Sequence, residues 1–491
     1  MQPRPILCFA YATSIMFAFI MDQPSVAPQE FARFEKALQM AEKGWRNTDN
    51  MIGLSNVLAF RAVIARQQGE IVQAITWARQ ALEWLPVREH MWRAICLGVV
   101  GNDELLQGQF NLARKTTLEA RATSEATRNP AFIRASSVVL SSICFEQGEL
   151  HLAAEYYRQM LSEAREAEDR DDIGQATLGL ALLAYEWNNL ADAEQLAQES
   201  LEMGQLMANY EFQVLSTLLL ACIEHARGQT TAAQQRCISL QAQLSGHTAP
   251  MLYWYSRQAK VLLARLALAV GDHATVQRWM DNRVEDDEQL PLIYREIEAL
   301  VEARWLLAQE KETEALALLA HWLDDARQNG RMRAALEMQV LMVLAYAARK
   351  QVHEVRSLLQ SVLSQASVEG YLRLFLDEGA AMATLLHTMV PYLREPSLLA
   401  YLQTILQAFG QEQEGVLQEP MKAVASLVEP LSPQEQRVLR LLATGRSNRE
   451  IADELIVSVN TIRSQVQSIY RKLNVNNRVA ASEMARHLHL L

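Results

Sequence analysis

Small or polar turn residues recur along most of this chain at nearly constant intervals. They are Gly69, Gly108, Gly148, Asn188, Gly228 and Gly271, with weaker examples near Gln309 and Lys350, and successive intervals are 39, 40, 40, 40, 43, 38 and 41 residues. An apolar segment precedes each turn and an alanine-bearing amphipathic segment follows it, as in VVLSSICFEQGELHLAAEYYRQM at residues 138–160. Because a helical hairpin of this kind cannot bury its apolar face alone, the period predicts a solenoid of stacked hairpins.

The hairpins are predicted to be longer relatives of the tetratricopeptide repeat, whose period is about 34 residues. We expect an all-α fold in which residues 1–410 form a right-handed superhelix of about eight to ten hairpins, TPR-like and without β-sheet. The low counts of glycine (19) and proline (13) also favour helix. The apolar stretch from Ile6 to Met21 is short for a membrane span, and it is predicted to be the first helix of the array rather than a signal peptide.

Charge is divided unevenly along the chain. The net charge is −11, yet residues 431–491 hold nine Arg or Lys against five Asp or Glu, a balance of +4 that leaves −15 for the preceding 430 residues. Residues 455–482 contain four cations and no carboxylate. This composition suits contact with phosphates, although a solvated basic face would look the same.

Cysteine and histidine usage gives no sign of a metal or an active site. The five cysteines, at positions 8, 96, 144, 222 and 237, are scattered and odd in number, so neither a disulfide framework nor a zinc site is predicted. A reducing cytoplasm fits this pattern. Because histidine and glutamate show no metal spacing and no nucleophile motif accompanies them, we expect no cofactor, no metal and no enzyme activity.

The hydrophobic pattern weakens over residues 411–430, QEQEGVLQEPMKAVASLVEP, which predicts a linker before a second domain at residues 431–491. Three helices with serine caps are predicted there: Ser432 with Glu435 and Ser447 with Glu450 form capping boxes, and Ser458 caps the third helix. The residues predicted to bury the first two helices, with Gly445 ending the first, are Val438, Leu441, Leu442, Ile451, Ala452 and Leu455. A fourth helix is expected from about Asn477.

The third of these helices has two different faces. Its apolar residues, at spacings of three and four that fix one face inward, are Val459, Ile462, Val466, Ile469 and Leu473. The opposite face holds residues able to donate to phosphates and base edges, namely Asn460, Arg463, Ser464, Gln467 and Arg471. Two capped helices joined by a tight turn, the second long and basic, predict a helix-turn-helix that enters the major groove.

Residues 431–491 resemble the LuxR-type DNA-binding domain along their whole length. The resemblance is carried by Leu431-Ser432-Pro433, Glu435, Gly445, Asn448, Glu450-Ile451-Ala452, Leu455, residues 458–462, Lys472-Leu473 and Arg478. Two departures, Arg463 where the family commonly has Lys and Gln465 where it often has His, affect the preferred DNA sequence rather than binding. By position the resemblance implies that Arg463, Ser464 and Gln467 face bases, while Asn460, Thr461, Gln465 and Lys472 approach phosphates. Arg471 and Arg478 complete the predicted DNA-binding set.

The preceding residues resemble the large LuxR-type regulators related to the maltose-regulon activator, in which a helical-repeat sensor domain precedes the DNA-binding domain. Residues 370–386, GYLRLFLDEGAAMATLL, are similar to a segment near the end of that sensor array. An ATP-binding module lies ahead of the repeats in that family, but this chain has neither GxxxxGKS nor GxxxxGKT, so we expect no binding of ATP. The chain is then either a shortened relative or one whose module was lost upstream.

The resemblance implies a cytoplasmic bacterial transcription regulator. Its expected partners are double-stranded promoter DNA bound as a homodimer, RNA polymerase, and an effector, either a small molecule or a protein, on the repeats; no membrane partner is expected. The alternative is a protein-interaction scaffold whose last helices only cap the solenoid. The break in the period after residue 431 and the basic third helix disfavour it. The effector, the target promoters and the choice between activation and repression stay open.

Overall fold

The structure is a computed structural model that describes residues 4–22, 28–67, 70–127, 130–245, 250–283, 290–425, 433–443, 446–455 and 457–472. Within these ranges the chain forms 24 α-helices, one short 3-10 helix and no strand. The prediction of an all-α fold is therefore confirmed. The chain divides into two compact units, Met1–Gly410 and Gln411–Leu491.

Consecutive helices of the first unit pair into hairpins. They are α1 (Pro5–Asp22) with α2 (Pro28–Arg46), α3 (Met51–Gln67) with α4 (Ile71–Trp84), α5 (His90–Leu106) with α6 (Phe110–Thr127), α7 (Pro130–Glu146) with α8 (Leu150–Ala167), α9 (Arg170–Glu186) with α10 (Leu190–Leu206), α11 (Tyr210–Ala226) with α12 (Thr230–Leu244), α13 (Pro250–Ala269) with α14 (His273–Asp281), α15 (Leu292–Ala308) with α16 (Glu312–Asn329), and α17 (Met332–Ala348) with α18 (Val352–Glu369). The part of the chain that the structure describes thus contains nine hairpins, numbered here in chain order.

Three further helices and a 3-10 turn follow the ninth hairpin. They are α19 (Arg373–Leu376), α20 (Gly379–Met389), a 3-10 turn (Val390–Tyr392) and α21 (Pro396–Ala425). The predicted linker at 411–430 begins inside α21, so its part up to Ala425 is helical, and residues 426–430 lie outside the described ranges. Its many Gln, Glu, Leu and Ala residues are good helix formers, which explains the continuation. The second unit contains α22 (Pro433–Ala443), α23 (Asn448–Leu455) and α24 (Val459–Lys472).

The turns predicted from the period lie where the backbone is left-handed. The positive φ values at the turns inside hairpins belong to Gly108, Gly148, Asn188, Gly228, Gly271, Glu310 and Lys350. A left-handed residue just after a helix lets the next N–H groups bond back to its last carbonyls, which ends the helix cleanly. The turn expected near Gln309 is centred one residue later, and Gly69 lies outside the described ranges.

A second series of left-handed residues follows the second helix of a hairpin. Its described members are Asp49, Glu168, Ala208, Gly330 and Gly370. No residue-type pattern predicts this series, because three of the five are not glycine. Hydrogen bonds such as Asp169 N–H to the Ala164 carbonyl (2.9 Å) and Asn209 N–H to the Gly204 carbonyl (2.9 Å) hold the chain in these turns.

Adjacent hairpins stack through small residues that receive a large side chain. Tyr157 on α8 is 4% exposed and its ring lies against Gly179 of α9, where an added Cβ would come within 2.3 Å of the ring. Ala153, one turn before Tyr157, is fully buried. Because Gly179 has no side chain, the Tyr157 ring can pack directly on the backbone of α9. This contact allows the fourth and fifth hairpins to pack closely together.

The N-terminal apolar stretch is the first helix of the array, as predicted. Phe9 of α1 packs edge-on against Trp45 and Phe60, with ring centroids 5.3 and 5.8 Å away, and joins the core shared by the first three hairpins. Among the described residues, no helix is both long and apolar enough to cross a bilayer. All five cysteines are free.

Buried arginines join hairpins that are far apart in sequence. Arg331, just before α17, has a side chain only 1% exposed; it donates to the Gly108 carbonyl in the third hairpin (3.0 Å) and to Glu296 on α15 (2.7 Å). Arg333 pairs with Glu146 and Glu186 at the ends of α7 and α9. The array therefore closes on itself between hairpins three to five and hairpin nine.

Arg331→Met should lower the free energy of unfolding by about 3–5 kcal/mol, because it leaves the carboxylate of Glu296 buried without its charge partner. Urea unfolding followed by far-UV circular dichroism measures this loss. Adding Glu296→Gln to the same chain should restore part of it, since the unpaired charge is then absent.

The matched control is Arg165→Met, which breaks a pair with Glu199 whose arginine side chain is 54% exposed. An exposed pair contributes roughly 0–1 kcal/mol, so this variant should unfold close to the parent. Equal losses from Arg165→Met and Arg331→Met would show that the closure is energetically unimportant.

Candidate nucleic-acid interface

The helices α22, α23 and α24 enclose a small hydrophobic core. Its buried members are Val438, Leu439, Leu442, Ile451, Ala452, Ile462, Val466 and Ile469, with Leu441, Leu455, Val457 and Val459 partly buried around them. The inward faces predicted from spacing are therefore the observed ones for the described residues, and Leu439 is an addition. Gly445, Leu473 and the predicted fourth helix lie outside the described ranges.

Two of the predicted helix caps are formed. The Ser447 N–H donates to Glu450 Oε2 (2.7 Å) and the Glu450 N–H donates to Ser447 Oγ (3.3 Å), which is a reciprocal capping box. At the start of α24 the Thr461 N–H donates to Ser458 Oγ (3.1 Å). These bonds satisfy N–H groups at the two helix starts, and so they fix where α23 and α24 begin. The first predicted cap, Ser432, lies outside the described ranges.

Glu435 ties the first helix of this unit to the third. Its side chain is only 7% exposed and accepts a hydrogen bond from Ser468 Oγ at 2.7 Å. Ser468 lies on the flank of α24 between the buried Ile469 and the exposed Gln467. The bond orients α24 about its own axis, a role of Ser468 that no spacing in the sequence predicts.

The face of α24 opposite the core is polar and open to solvent. Thr461, Ser464 and Gln467, at spacings of three residues along the helix, are all exposed. Gln465 is half-buried, and its Oε1 atom is shielded from solvent. Hydroxyl and amide groups on an exposed helix face can donate to phosphate oxygens and to base edges.

The remaining predicted DNA-binding residues are only partly described. Four of them have their backbone within α24, namely Asn460, Arg463, Arg471 and Lys472. Their side chains, and the whole of Arg478, are not among the parts of the chain that the structure describes. By helical geometry Arg463 precedes Gln467 by about one turn. The helix thus brings the predicted residues from 460 to 472 onto one continuous element.

Other polar contacts of this unit support the helices rather than form a reactive centre. Arg446, just before α23, forms an ion pair with Glu454 in the last turn of that helix. Among the described residues of the chain, no group of His, Cys, Asp and Glu is arranged to hold a metal ion. The chemistry that this unit offers is hydrogen-bond donation from a helix held by a compact core.

Two protein families match the chain. The family described as "MalT-like TPR region" matches residues 55–391, and the family described as "Bacterial regulatory proteins, luxR family" matches residues 429–485. The first match covers more than half of the chain. The second covers all three described helices of the unit with the capped helix α24.

Curated relatives align with most of this chain. The HTH-type transcriptional regulator MalT of Serratia proteamaculans is 26% identical over 93% of this chain and 52% of its own length. The regulator of the same name from Yersinia pestis is 26% identical over 88% of this chain and 49% of its own length. The chain therefore spans about half the length of the curated relatives it matches.

A solved structure has a similar fold. It is the crystal structure of a Rap protein complexed with Competence and Sporulation Factor, which aligns with a TM-score of 0.55 over 74% of this chain and 98% of its own. Only 11% of aligned residues are identical, so the likeness concerns the fold of the helical array.

Ile462→Asp should unfold the unit of α22–α24 while leaving the hairpins folded. Ile462 is fully buried, and an unpaired carboxylate at its position would destabilise so small a core by more than about 4 kcal/mol. Amide hydrogen exchange read by mass spectrometry should show lost protection for peptides within 433–472 and unchanged protection for peptides of the hairpins.

The control Ser464→Asp places the same charge on the exposed face of the same helix. It should keep the protection of the parent chain. If Ile462→Asp also kept that protection, the assignment of this face to the core would be wrong.

Proposed function

This chain belongs to the family of the MalT-like TPR region, and from that premise we propose that it is a transcription regulator that binds promoter DNA through α24. The luxR-family match over residues 429–485 and the regulator names of the relatives support the proposal. The observation that carries it is the polar, exposed face of α24, held outward by the buried Ile462, Val466 and Ile469. Such a helix fits the major groove of B-form DNA.

The residues of α24 have different proposed roles. Arg463, Ser464 and Gln467 read bases, as the resemblance to the LuxR-type domain implies, and their helical spacing keeps them off the apolar face. Asn460, Thr461, Gln465 and Lys472 hold phosphates, and Arg471 and Arg478 add positive charge to the same surface. The four cations and absent carboxylates of residues 455–482 favour this assignment, since the DNA backbone repels acidic groups.

The helical array is the proposed sensor. Residues 1–410 bind an effector, residues 411–430 connect this domain to the DNA-binding domain at 431–491, and effector binding changes promoter occupancy. The Rap protein of similar fold was crystallised with a factor bound, which agrees with a ligand-binding use of such an array. We place the protein in the cytoplasm as a homodimer on DNA that works with RNA polymerase and has no enzyme activity of its own.

Arg463→Ala and Gln467→Ala should each weaken binding to a cognate promoter by roughly 1–3 kcal/mol and relax the preference at one base pair. Each removes a side chain that donates to a base edge. Mobility-shift titrations on a promoter fragment selected by genome-wide mapping of bound DNA, and on a scrambled duplex, give the two affinities whose ratio reports specificity.

Two variants serve as matched controls. Arg437→Ala removes one positive charge from the exposed surface of α22, and Gln403→Ala removes the same amide as Gln467→Ala from the exposed surface of α21. Neither should change the ratio of cognate to scrambled affinity. A ratio unchanged by both Arg463→Ala and Gln467→Ala would refute the docking of α24, and no shift of any promoter by the parent chain would favour the scaffold function.

Lys472→Ala tests the phosphate role at the end of α24. Because a phosphate contact is independent of sequence, this variant should weaken binding to all duplexes alike and lower the slope of log affinity against log salt by about one. Titrations of cognate and scrambled duplexes at several salt concentrations measure that slope. A loss confined to the cognate duplex would assign Lys472 to base reading instead.

A further inference from the structure

A cavity of about 420 Å³ lies in the interior that the hairpins enclose. Its wall is formed by the first helices of hairpins five to nine, α9, α11, α13, α15 and α17, and by the turn between α19 and α20. Six of the sixteen lining residues are leucines, of which Leu262, Leu268, Leu307 and Leu344 are partly exposed. A cavity of this size and lining is suited to a small ligand with an apolar body.

One end of the cavity is charged. Arg265 of α13 and Arg304 of α15 lie there with Asp377 and Glu378 from the turn after α19. Burial lowers the pKa of His225, which lines the same end, so this imidazole is neutral near pH 7. The two arginines are thus the cations that a ligand meets in this cavity.

The carboxylates at this end already have their partners. Asp377 accepts from the Tyr185 hydroxyl (3.1 Å to each oxygen), from Arg373 Nε (2.8 Å) and from Arg265 Nη2 (3.2 Å). Burial raises the pKa of Asp377, but Arg373 and Arg265 outweigh that effect and keep the pKa below its usual value. Glu378 accepts from Arg304 Nε (3.2 Å) and from its Nη2. The site therefore offers a ligand few acceptors.

Arg265 retains more unused donors than Arg304. Arg304 is 11% exposed and donates to Glu378, to Glu337 (2.8 Å) and to the Leu300 carbonyl (3.3 Å). Within the described ranges Arg265 donates to Asp377 alone, and 30% of its side-chain surface is accessible. A guanidinium has five N–H groups in a planar fork that matches a carboxylate. Because Asp377 is also neutralised by Arg373, a second carboxylate can bind Arg265 without displacing Asp377 from its other partners.

We propose that this cavity binds an organic acid with an apolar body, whose carboxylate pairs with Arg265 while its hydrocarbon part lies against the leucines. A regulatory effect of this acid rests on the sensing function proposed above. The binding of the acid in the cavity does not. The ligand shares Arg265 with Asp377, so it acts on the short segment of α19 and α20 that precedes α21. The small residues Ala269, Ala308 and Ala381 at the cavity surface leave room for the hydrocarbon part.

The test uses the full-length chain and a probe series of hexanoate, octanoate and decanoate, measured by isothermal titration calorimetry. Octanamide and octylamine have the same hydrocarbon body without the negative charge. We expect saturable binding of the acids that strengthens with chain length, and binding of the amide and amine weaker by about tenfold or more, because a charge-assisted bidentate pair is lost.

Two variants locate the site. Arg265→Met should reduce octanoate affinity to that of octanamide, and Arg265→Lys should retain part of the difference because it keeps the charge. Ala308→Phe fills the cavity from α15 and should weaken acid and amide alike. Arg278→Met removes an exposed arginine of α14 and should change neither affinity.

The inference is wrong if octanoate and octanamide bind equally to the parent chain, if neither acid nor amide binds, or if folded Arg265→Met and Ala308→Phe both keep the parent's octanoate affinity. The function proposed above is tested separately by promoter shifts without any acid. Octanoate binding with no promoter shift would leave the cavity assignment standing and count against the regulator alone.

Discussion

The side chain of Arg331 holds together parts of the array that a simple solenoid leaves apart. In an ordinary repeat array each unit contacts its neighbours, so the curvature follows from one stacking angle repeated many times. Here a turn of the third hairpin accepts a hydrogen bond from the residue that precedes the ninth, and Arg333 adds ion pairs to the ends of α7 and α9. These contacts enclose an interior, and the leucine-lined cavity exists because five first helices face that interior together.

Local signals made most of the hairpins predictable. Glycine and asparagine tolerate the left-handed backbone, so Gly108, Gly148 and Asn188 identified turns by residue type, while Lys350 was found by the period alone. Glu168 and Ala208 adopt the same backbone without that chemistry, held there by the turn's own hydrogen bonds, and no pattern marked them. The weak periodicity after residue 410 suggested a linker, but polar residues that form helix well also weaken periodicity, and α21 continues through them to Ala425.

The unit of α22–α24 also contains features that local sequence predicts and features that it does not. Its core residues and the Ser447 and Ser458 caps depend on spacings within one or two turns of helix, and the sequence was sufficient to predict them. The bond from Ser468 to Glu435 depends on how α24 lies against α22, and the pairing of Arg265 with Asp377 joins residues 112 positions apart. Nothing in local sequence distinguishes such an arginine from a solvated one, so contacts of this kind follow only from the packed fold.

The closure of the array also has a consequence for how the chain is made. Each hairpin forms from contacts within a few tens of residues, which are quick to find, whereas the bond between Gly108 and Arg331 spans 223 positions. At synthesis rates of roughly 5–20 residues per second, the third hairpin waits on the order of 10–45 s for its partner to emerge from the ribosome. During that interval the Gly108 carbonyl and the carboxylates of Glu146 and Glu186 lack the arginines that later pair with them. The hairpins of the array therefore form early in synthesis, and the contacts that close the array form late.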